Sequence, residues 1–125
     1  MSGLPRVLVV EDEYLVAMDL KSSLRQGGYD VVGPVATVAA ALATVGRERL
    51  DACILDINLK GEHSSPVALA LKQQKVPVLV YSAYDRASLA GDAAFDGVAS
   101  IGKSAAPQEL LLELAALLKK RAAQF

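Results

Sequence analysis

The chain has 125 residues, and we expect residues 1–125 to form a single domain with its own core. Its net charge of −1 gives no sign of the basic stripe that nucleic-acid binding requires, and no apolar run reaches the roughly 18 residues of a membrane span. Because the N-terminus also lacks signal-peptide features, we expect a cytoplasmic protein that binds neither nucleic acid nor membrane. Hydrophobic residues make up 53% of the chain and aromatic residues only 5%, so the predicted core is aliphatic.

Apolar runs and segments with helical spacing alternate along the chain. In chain order, the predicted elements are a strand over Arg6–Val10, a helix around Val16–Leu24 ended by Gly27-Gly28, a strand over Tyr29–Val32 ended by Gly33-Pro34, a helix over Ala36–Val45 with Thr37 as a candidate N-cap, a strand over Ala52–Leu55, a helix over Pro66–Gln74, a strand over Pro77–Tyr81, a helix over Arg86–Ala94, a strand over Gly97–Ile101 and a helix over Pro107–Arg121. This alternation predicts an α/β fold, a parallel sheet with helices on both faces.

Polar side chains follow four of the predicted strands. They are Glu11, Asp12 and Glu13 after the first strand, Asp56 and Asn58 after the third, Ser82 after the fourth and Lys103 after the fifth. In a parallel sheet these strand ends share one edge, where ligand sites of such folds gather. Clustered carboxylates need a cation, and Mg²⁺ prefers oxygen ligands. We therefore expect an anionic site that holds a metal and then a phosphoryl group, with Glu13 serving only as a charge at the start of a helix.

The order of an acid pair, a lone Asp, a Ser and a Lys on successive strand ends resembles the receiver domain of two-component signalling. The stretches Val7 to Glu13 and Ile54 to Leu59 carry the resemblance, which covers essentially the whole chain. Gly61 to Ala68 and Val76 to Tyr84 are similar to the single-domain receivers of alphaproteobacteria with a Phe-Ala-Thr-Gly-Tyr signature. The resemblance implies a doubly wound, flavodoxin-like sheet of five parallel strands in the order 2-1-3-4-5.

The resemblance also implies a function and a role for each site residue. The expected function is a phosphorylation-dependent switch in a bacterial signalling pathway. The expected partners are a sensor histidine kinase or a histidine phosphotransfer protein, and a downstream protein target. The resemblance further implies that the chain is not an enzyme, since such a domain catalyses only its own phosphorylation and dephosphorylation. The implied phosphoacceptor is Asp56, and the implied phosphoryl contacts are Ser82 and Lys103. The implied Mg²⁺ ligands are the carboxylates of Glu11, Asp12 and Asp56 and the backbone carbonyl of Asn58.

Two departures from the family pattern concern the signalling switch. Ser104 replaces the Pro that usually follows the lysine in a cis peptide, so we expect a trans bond here. Ser100 replaces the usual switch aromatic, which leaves Tyr81 and Tyr84, on either side of Ser82, as candidate switch residues. The departures keep open the alternative of a degenerate receiver that acts as a phosphorylation-independent binding module.

A rival motif spans Gly97 to Ser104, which matches the phosphate-binding P-loop pattern G-x-x-x-x-G-K-S. The residues between its glycines read as a strand rather than a loop, so nucleotide binding is only a remote alternative. The lone His63 is expected to be exposed in a polar loop, and Cys53 is expected to be a buried thiol.

Overall fold

The computed structural model describes residues 3–83 and 92–123. The strands are β1 (Arg6–Val10), β2 (Asp30–Val35), β3 (Ala52–Leu55), β4 (Asn58–Leu59), β5 (Glu62–His63), β6 (Val78–Ser82) and β7 (Ala99–Gly102). The helices are α1 (Tyr14–Gln26), α2 (Val38–Arg47), α3 (Ser65–Gln73) and α4 (Pro107–Ala123), and a short 3-10 helix covers Ala93–Phe95.

Five of the strands form one parallel sheet in the order β2-β1-β3-β6-β7, while β4 and β5 pair as a separate antiparallel hairpin. Counted along the sheet-forming strands only, this is the order 2-1-3-4-5, so the predicted fold class is confirmed. The register places Val10 opposite Leu55 and Leu55 opposite Val80. The segments that follow these strands therefore leave the sheet along one edge.

The core lies in two layers because successive side chains of a strand point to opposite faces of the sheet. Leu8 and Val10 pack with α2 and α3 on one face, whereas Val7 and Val9 pack with α1 and α4 on the other. Cys53 belongs to the first layer and is fully buried, as predicted, and this burial raises the pKa of its thiol. None of the helices in the described ranges is long and apolar enough to cross a membrane.

The second strand is longer than predicted. It continues through Gly33 and Pro34 to Val35, whose carbonyl accepts a hydrogen bond of 3.0 Å from the backbone N–H of Glu11. Proline is tolerated here because β2 is an edge strand, where a missing N–H donor leaves no neighbouring strand unpaired. The predicted cap of α2 is confirmed, since Thr37 Oγ1 accepts a hydrogen bond of 3.1 Å from Ala40 N. Most of the predicted helix over Arg86–Ala94 lies outside the described residues.

The β4–β5 hairpin was not predicted. Its two turn residues, Lys60 and Gly61, have φ angles of 51° and 86°, as in the type I′ turns that close two-residue hairpins. Asn-Gly is the usual sequence for such a turn, and Lys-Gly is a much weaker signal. The hairpin directly follows β3 and Asp56, so it lies beside the edge of the sheet where the predicted site residues meet.

Candidate functional site

Three carboxylates converge at the carboxyl edge of the sheet. Glu11 and Asp12 follow β1 and Asp56 follows β3, and one oxygen of each lies within 4.8 Å of the others. Glu11 and Asp56 are only 2% and 7% exposed, whereas Asp12 is half-buried. Buried like charges at this separation need a neighbouring cation or a proton. The predicted cluster is therefore present, and its electrostatics favour binding of a cation.

Lys103 supplies a cation from the other side of the site. Its Nζ lies 2.9 Å from Glu11 Oε1, 3.0 Å from Asp56 Oδ2 and 3.2 Å from Glu13 Oε1. Burial lowers the pKa of Lys103, but its hydrogen bonds to Glu11 and Asp56 raise that pKa by more, so the ammonium stays charged. The prediction for Glu13 was incomplete: it is the N-cap residue of α1, and its long side chain also reaches Lys103.

The pKa values of Glu11 and Asp12 are shifted in opposite directions. Burial raises the pKa of Glu11 to about 7, against hydrogen bonds from the backbone N–H of Glu13 and from Lys103. Burial raises the pKa of Asp12, but a hydrogen bond of 2.9 Å from the backbone N–H of Lys60, an interaction with the Glu11 side chain and the charge of Lys103 together lower it by more, so the pKa of Asp12 is lowered. The hairpin turn thus helps to keep Asp12 ionised, through a contact that the sequence did not indicate.

The donor set fits a hard divalent cation such as Mg²⁺. Glu11, Asp12 and Asp56 offer carboxylate oxygens close together, and Mg²⁺ is held in proteins by one or two carboxylates plus water. Asn58 lies in β4, two residues after Asp56, and pairs with His63. Its backbone carbonyl as a fourth ligand remains a prediction.

The remaining predicted residues lie at the same edge or outside the described ranges. Ser82 ends β6, is buried, and accepts a backbone hydrogen bond of 3.1 Å from Lys103 N. The Tyr81 hydroxyl donates to the Lys103 carbonyl at 3.3 Å, and burial of this side chain raises its pKa. Tyr84 lies outside the described residues. A switching role for either tyrosine remains a prediction.

The structure contradicts the remote P-loop alternative, as the strand-like pattern of this segment indicated. Residues 99–102 form β7, which pairs with β6, whereas a P-loop needs this segment as an open loop. In addition, α4 begins only at Pro107, three residues after the end of the motif. The bond from Lys103 to Ser104 is trans, as expected, since the cis peptide found in the described ranges is Gly33-Pro34.

His63 is exposed, as predicted, but it makes contacts that the sequence did not reveal. Its Nδ1 lies 3.9 Å from Asp92 Oδ2, and its ring meets the ring of Phe95 edge-on at 5.7 Å. These contacts connect the hairpin with the segment before β7.

The sequence of residues 7–115 matches the family model of the response regulator receiver domain. The chain belongs to this family. Among curated relatives, this receiver is 34% identical over 89 residues to the phyllosphere-induced regulator PhyR of Methylorubrum extorquens, which covers 69% of the chain and 33% of PhyR. It also spans less than half the length of the other curated relatives to which it is similar, the transcriptional regulatory proteins PdtaR and PrrA of mycobacteria.

Solved structures agree with the fold. A CheY-like receiver domain protein from Methanospirillum hungatei superimposes with a TM-score of 0.88 at 23% identity, over 98% of this receiver and 100% of that chain. The response regulator TrrA of Thermotoga maritima, crystallised in complex with Mg²⁺-BeF, has a TM-score of 0.80 at 26% identity, over 91% of this receiver and 99% of that chain.

Proposed function

We propose that this receiver is a phosphorylation switch whose acceptor is Asp56. The observation that carries the proposal is the position of the buried Asp56 carboxylate, which lies 3.0 Å from the Lys103 ammonium and within 4.8 Å of carboxylate oxygens of Glu11 and Asp12. A phosphoryl group on Asp56 would have positive charge available from Lys103 and from a metal at Glu11 and Asp12. Among the described residues no ion pair joins Asp12 to Lys103, and Glu11, which lies 2.9 Å from Lys103 Nζ, is less accessible to a donor than Asp56 (2% against 7% exposed). We therefore propose Asp56 as the acceptor.

Mg²⁺ fits this site through Glu11, Asp12, Asp56 and the carbonyl of Asn58, and when bound it neutralises charge on the transferring phosphoryl oxygens. One carboxylate oxygen of Asp56 forms the new bond to phosphorus as the bond to the donor breaks, and the donor keeps the electron pair. Lys103 stabilises the developing negative charge without reorganisation, because its ammonium is already in place. The hydroxyl of Ser82, which ends β6 at the same edge, would donate to a phosphoryl oxygen. The crystallisation of TrrA with Mg²⁺-BeF supports the choice of Mg²⁺ as the metal.

The proposed donor is a sensor histidine kinase or a histidine phosphotransfer protein of the cytoplasm. Tyr14 and Leu15, at the start of α1, are 73% and 76% exposed and directly follow the acidic residues. Exposed apolar side chains beside a reactive carboxylate suit the docking of a protein donor. We propose no activity on any other substrate: the domain catalyses its own phosphorylation and dephosphorylation.

Intact-mass measurement after incubation with acetyl phosphate and Mg²⁺ tests the proposal. The native chain should gain the mass of one phosphoryl group, and both Asp56→Asn and native chain incubated with EDTA should gain none. An unlabelled native chain would favour the degenerate receiver, a binding module independent of phosphorylation. A labelled Asp56→Asn chain would move the acceptor to another residue.

A further inference from the structure

A second concave site lies at the opposite end of the sheet from the carboxylates. It is a cavity of about 310 Å³ between the end of α3, the 3-10 helix and the end of α4. Val78 and Ala99, the first residues of β6 and β7, contribute to its wall, which places it at the amino ends of the strands. This volume is at the lower end of the range of small-molecule sites in proteins.

The cavity is lined by both apolar and basic side chains. Ala68, Ala94 and Val98 are among its apolar residues. Four cationic side chains also line it, and Asp96 is the one acidic residue among the described residues that do so. The four cations are Lys72, Lys75, Lys120 and Arg121. A chain with a net charge of −1 thus gathers positive charge around one apolar hollow.

Two of these cations brace the cavity. Arg121 donates through Nε to the carbonyl of Lys75 at 3.2 Å and through Nη1 to Asp51 at 3.0 Å. Lys72 Nζ donates to the carbonyl of Ala93 at 3.4 Å. These bonds tie α4 to the end of α3, and α3 to the 3-10 helix. The cavity is therefore bounded by elements that are fixed to one another.

The other two cations, Lys75 and Lys120, have no carboxylate partner within residues 3–83 and 92–123. Lys75 also adopts a φ of 60° just beyond the end of α3, a position that glycine or asparagine usually fills. The backbone conformation thus gives no reason for a lysine at this position, whereas its place in the lining of the cavity does. Both charges are available to a ligand.

We infer that this cavity binds a small organic anion, a molecule with an apolar body and one carboxylate, sulfonate or phosphate group. The apolar body displaces water from the surface around Ala68 and Val98, and the acidic group pairs with Lys75 and Lys120. The site shares no residue with the proposed phosphorylation site, so each is testable without the other.

The test uses 8-anilino-1-naphthalenesulfonate, which has this chemistry, and its uncharged analogue N-phenyl-1-naphthylamine. Amide NMR shifts of the folded native chain should change around Ala68, Lys75 and Val98 on addition of the sulfonate, and the uncharged analogue should bind at least tenfold more weakly. Lys75→Gln/Lys120→Gln should weaken sulfonate binding about tenfold. The matched pair Arg25→Gln/Lys119→Gln, which removes the same charge from exposed positions outside the cavity, should leave it within twofold. Asp56→Asn should bind the sulfonate normally.

Shifts that cluster elsewhere would overturn the inference, as would equal binding of the two probes or equal weakening by the two variant pairs. Circular dichroism and urea unfolding of each variant show that the fold is intact, since this dye also binds loosely packed states. A lack of labelling by acetyl phosphate would contradict the proposed function but not the inference that this cavity binds an anion.

Discussion

At the scale of single residues, Lys103 is the cation that three carboxylates of the site share. Its ammonium contacts Glu11, Glu13 and Asp56, two of which are buried. The pKa of Glu11 is raised to about 7 even with this cation present, because burial disfavours the carboxylate. Loss of Lys103 would raise the pKa of Glu11 further, since hydrogen bonding and charge from Lys103 both lower it.

We predict that Lys103→Met destabilises the metal-free protein more at pH 8 than at pH 5.5. A carboxyl group whose pKa is higher in the folded state than in the unfolded state binds protons preferentially on folding, so stability falls as the pH rises from the unfolded pKa to the folded pKa. For Glu11 in the native chain this pH interval runs from the ordinary 4.5 to about 7, and in the variant its upper end lies at a higher pH. The expected loss at pH 8 is about 1–3 kcal/mol in the free energy of urea unfolding.

Lys119→Met is the control for this experiment, because Lys119 is exposed on α4 and makes no ion pair within the described ranges. It should change the unfolding free energy by less than about 0.5 kcal/mol at either pH. An equal loss from Lys103→Met at both pH values would show that lost packing, rather than charge, is responsible.

The sequence predicted which residue types meet at the site because strand ends of a parallel sheet share an edge. Glu11, Asp12, Asp56 and Lys103 follow from that rule alone. The contact of Glu13 with Lys103 depends on the reach of one long side chain, and the contact of Lys60 with Asp12 depends on an unpredicted hairpin. Neither contact has a periodic signal in the sequence.

At the scale of elements, the turn of the β4–β5 hairpin has backbone conformations that its sequence does not indicate. Lys60 and Gly61 both have positive φ angles, and Lys60 N holds Asp12 from this turn. Within the described residues, the helices and the strands of the sheet were predicted to within a few residues, because helical apolar spacing and continuous apolar runs are strong signals. The hairpin has two-residue strands and no such period, so only its turn residues could have marked it.

We predict that Gly61→Ala costs about 1 kcal/mol of stability and weakens Mg²⁺ binding. A β-carbon at Gly61 meets no atom within 4 Å, so the cost comes from its φ of 86°, where alanine is strained by about 1–2 kcal/mol. Distortion of the turn would also disturb the hydrogen bond from Lys60 to Asp12. Urea unfolding and calorimetric Mg²⁺ titration measure the two effects.

Gly46→Ala is the matched control. Gly46 lies in the last turn of α2, and a β-carbon there also meets no atom within 4 Å. Because its φ is not in the left-handed region, alanine should stabilise the helix by up to about 1 kcal/mol and leave Mg²⁺ binding unchanged. If both variants shift stability in the same direction, the backbone argument for the hairpin is wrong.

At the scale of the whole molecule, the sheet separates two charged surfaces. The carboxylates lie at the carboxyl ends of the strands, and the basic cavity lies at the amino ends. Of these two charged surfaces, only the carboxylate cluster was predictable from the sequence. The acids follow single strands in the sequence, whereas the cavity is assembled from the ends of α3 and α4 and the segment before β7, which the fold brings together.

The surface around the carboxylates determines which donors can reach Asp56. We expect the Leu15 side chain to contribute to the docking of a protein donor but not to the binding of a small-molecule donor. Acetyl phosphate needs only the acids and Lys103, whereas a kinase must also cover neighbouring surface. We predict that Leu15→Ser slows phosphotransfer from a cognate sensor kinase about tenfold, because it removes exposed apolar area that docking would bury. Labelling by acetyl phosphate should remain within twofold.

Leu69→Ser is the counterpart for this measurement. Leu69 is 46% exposed on α3, which packs on the other face of the sheet from α1, so its loss should leave both donors unaffected. Radiolabelled transfer from purified sensor kinases, followed over time beside acetyl phosphate labelling, compares the three chains. If Leu15→Ser slows both donors equally, Leu15 supports the acidic site itself. If it slows neither, the donor approaches over a different surface, and the role of α1 in docking fails.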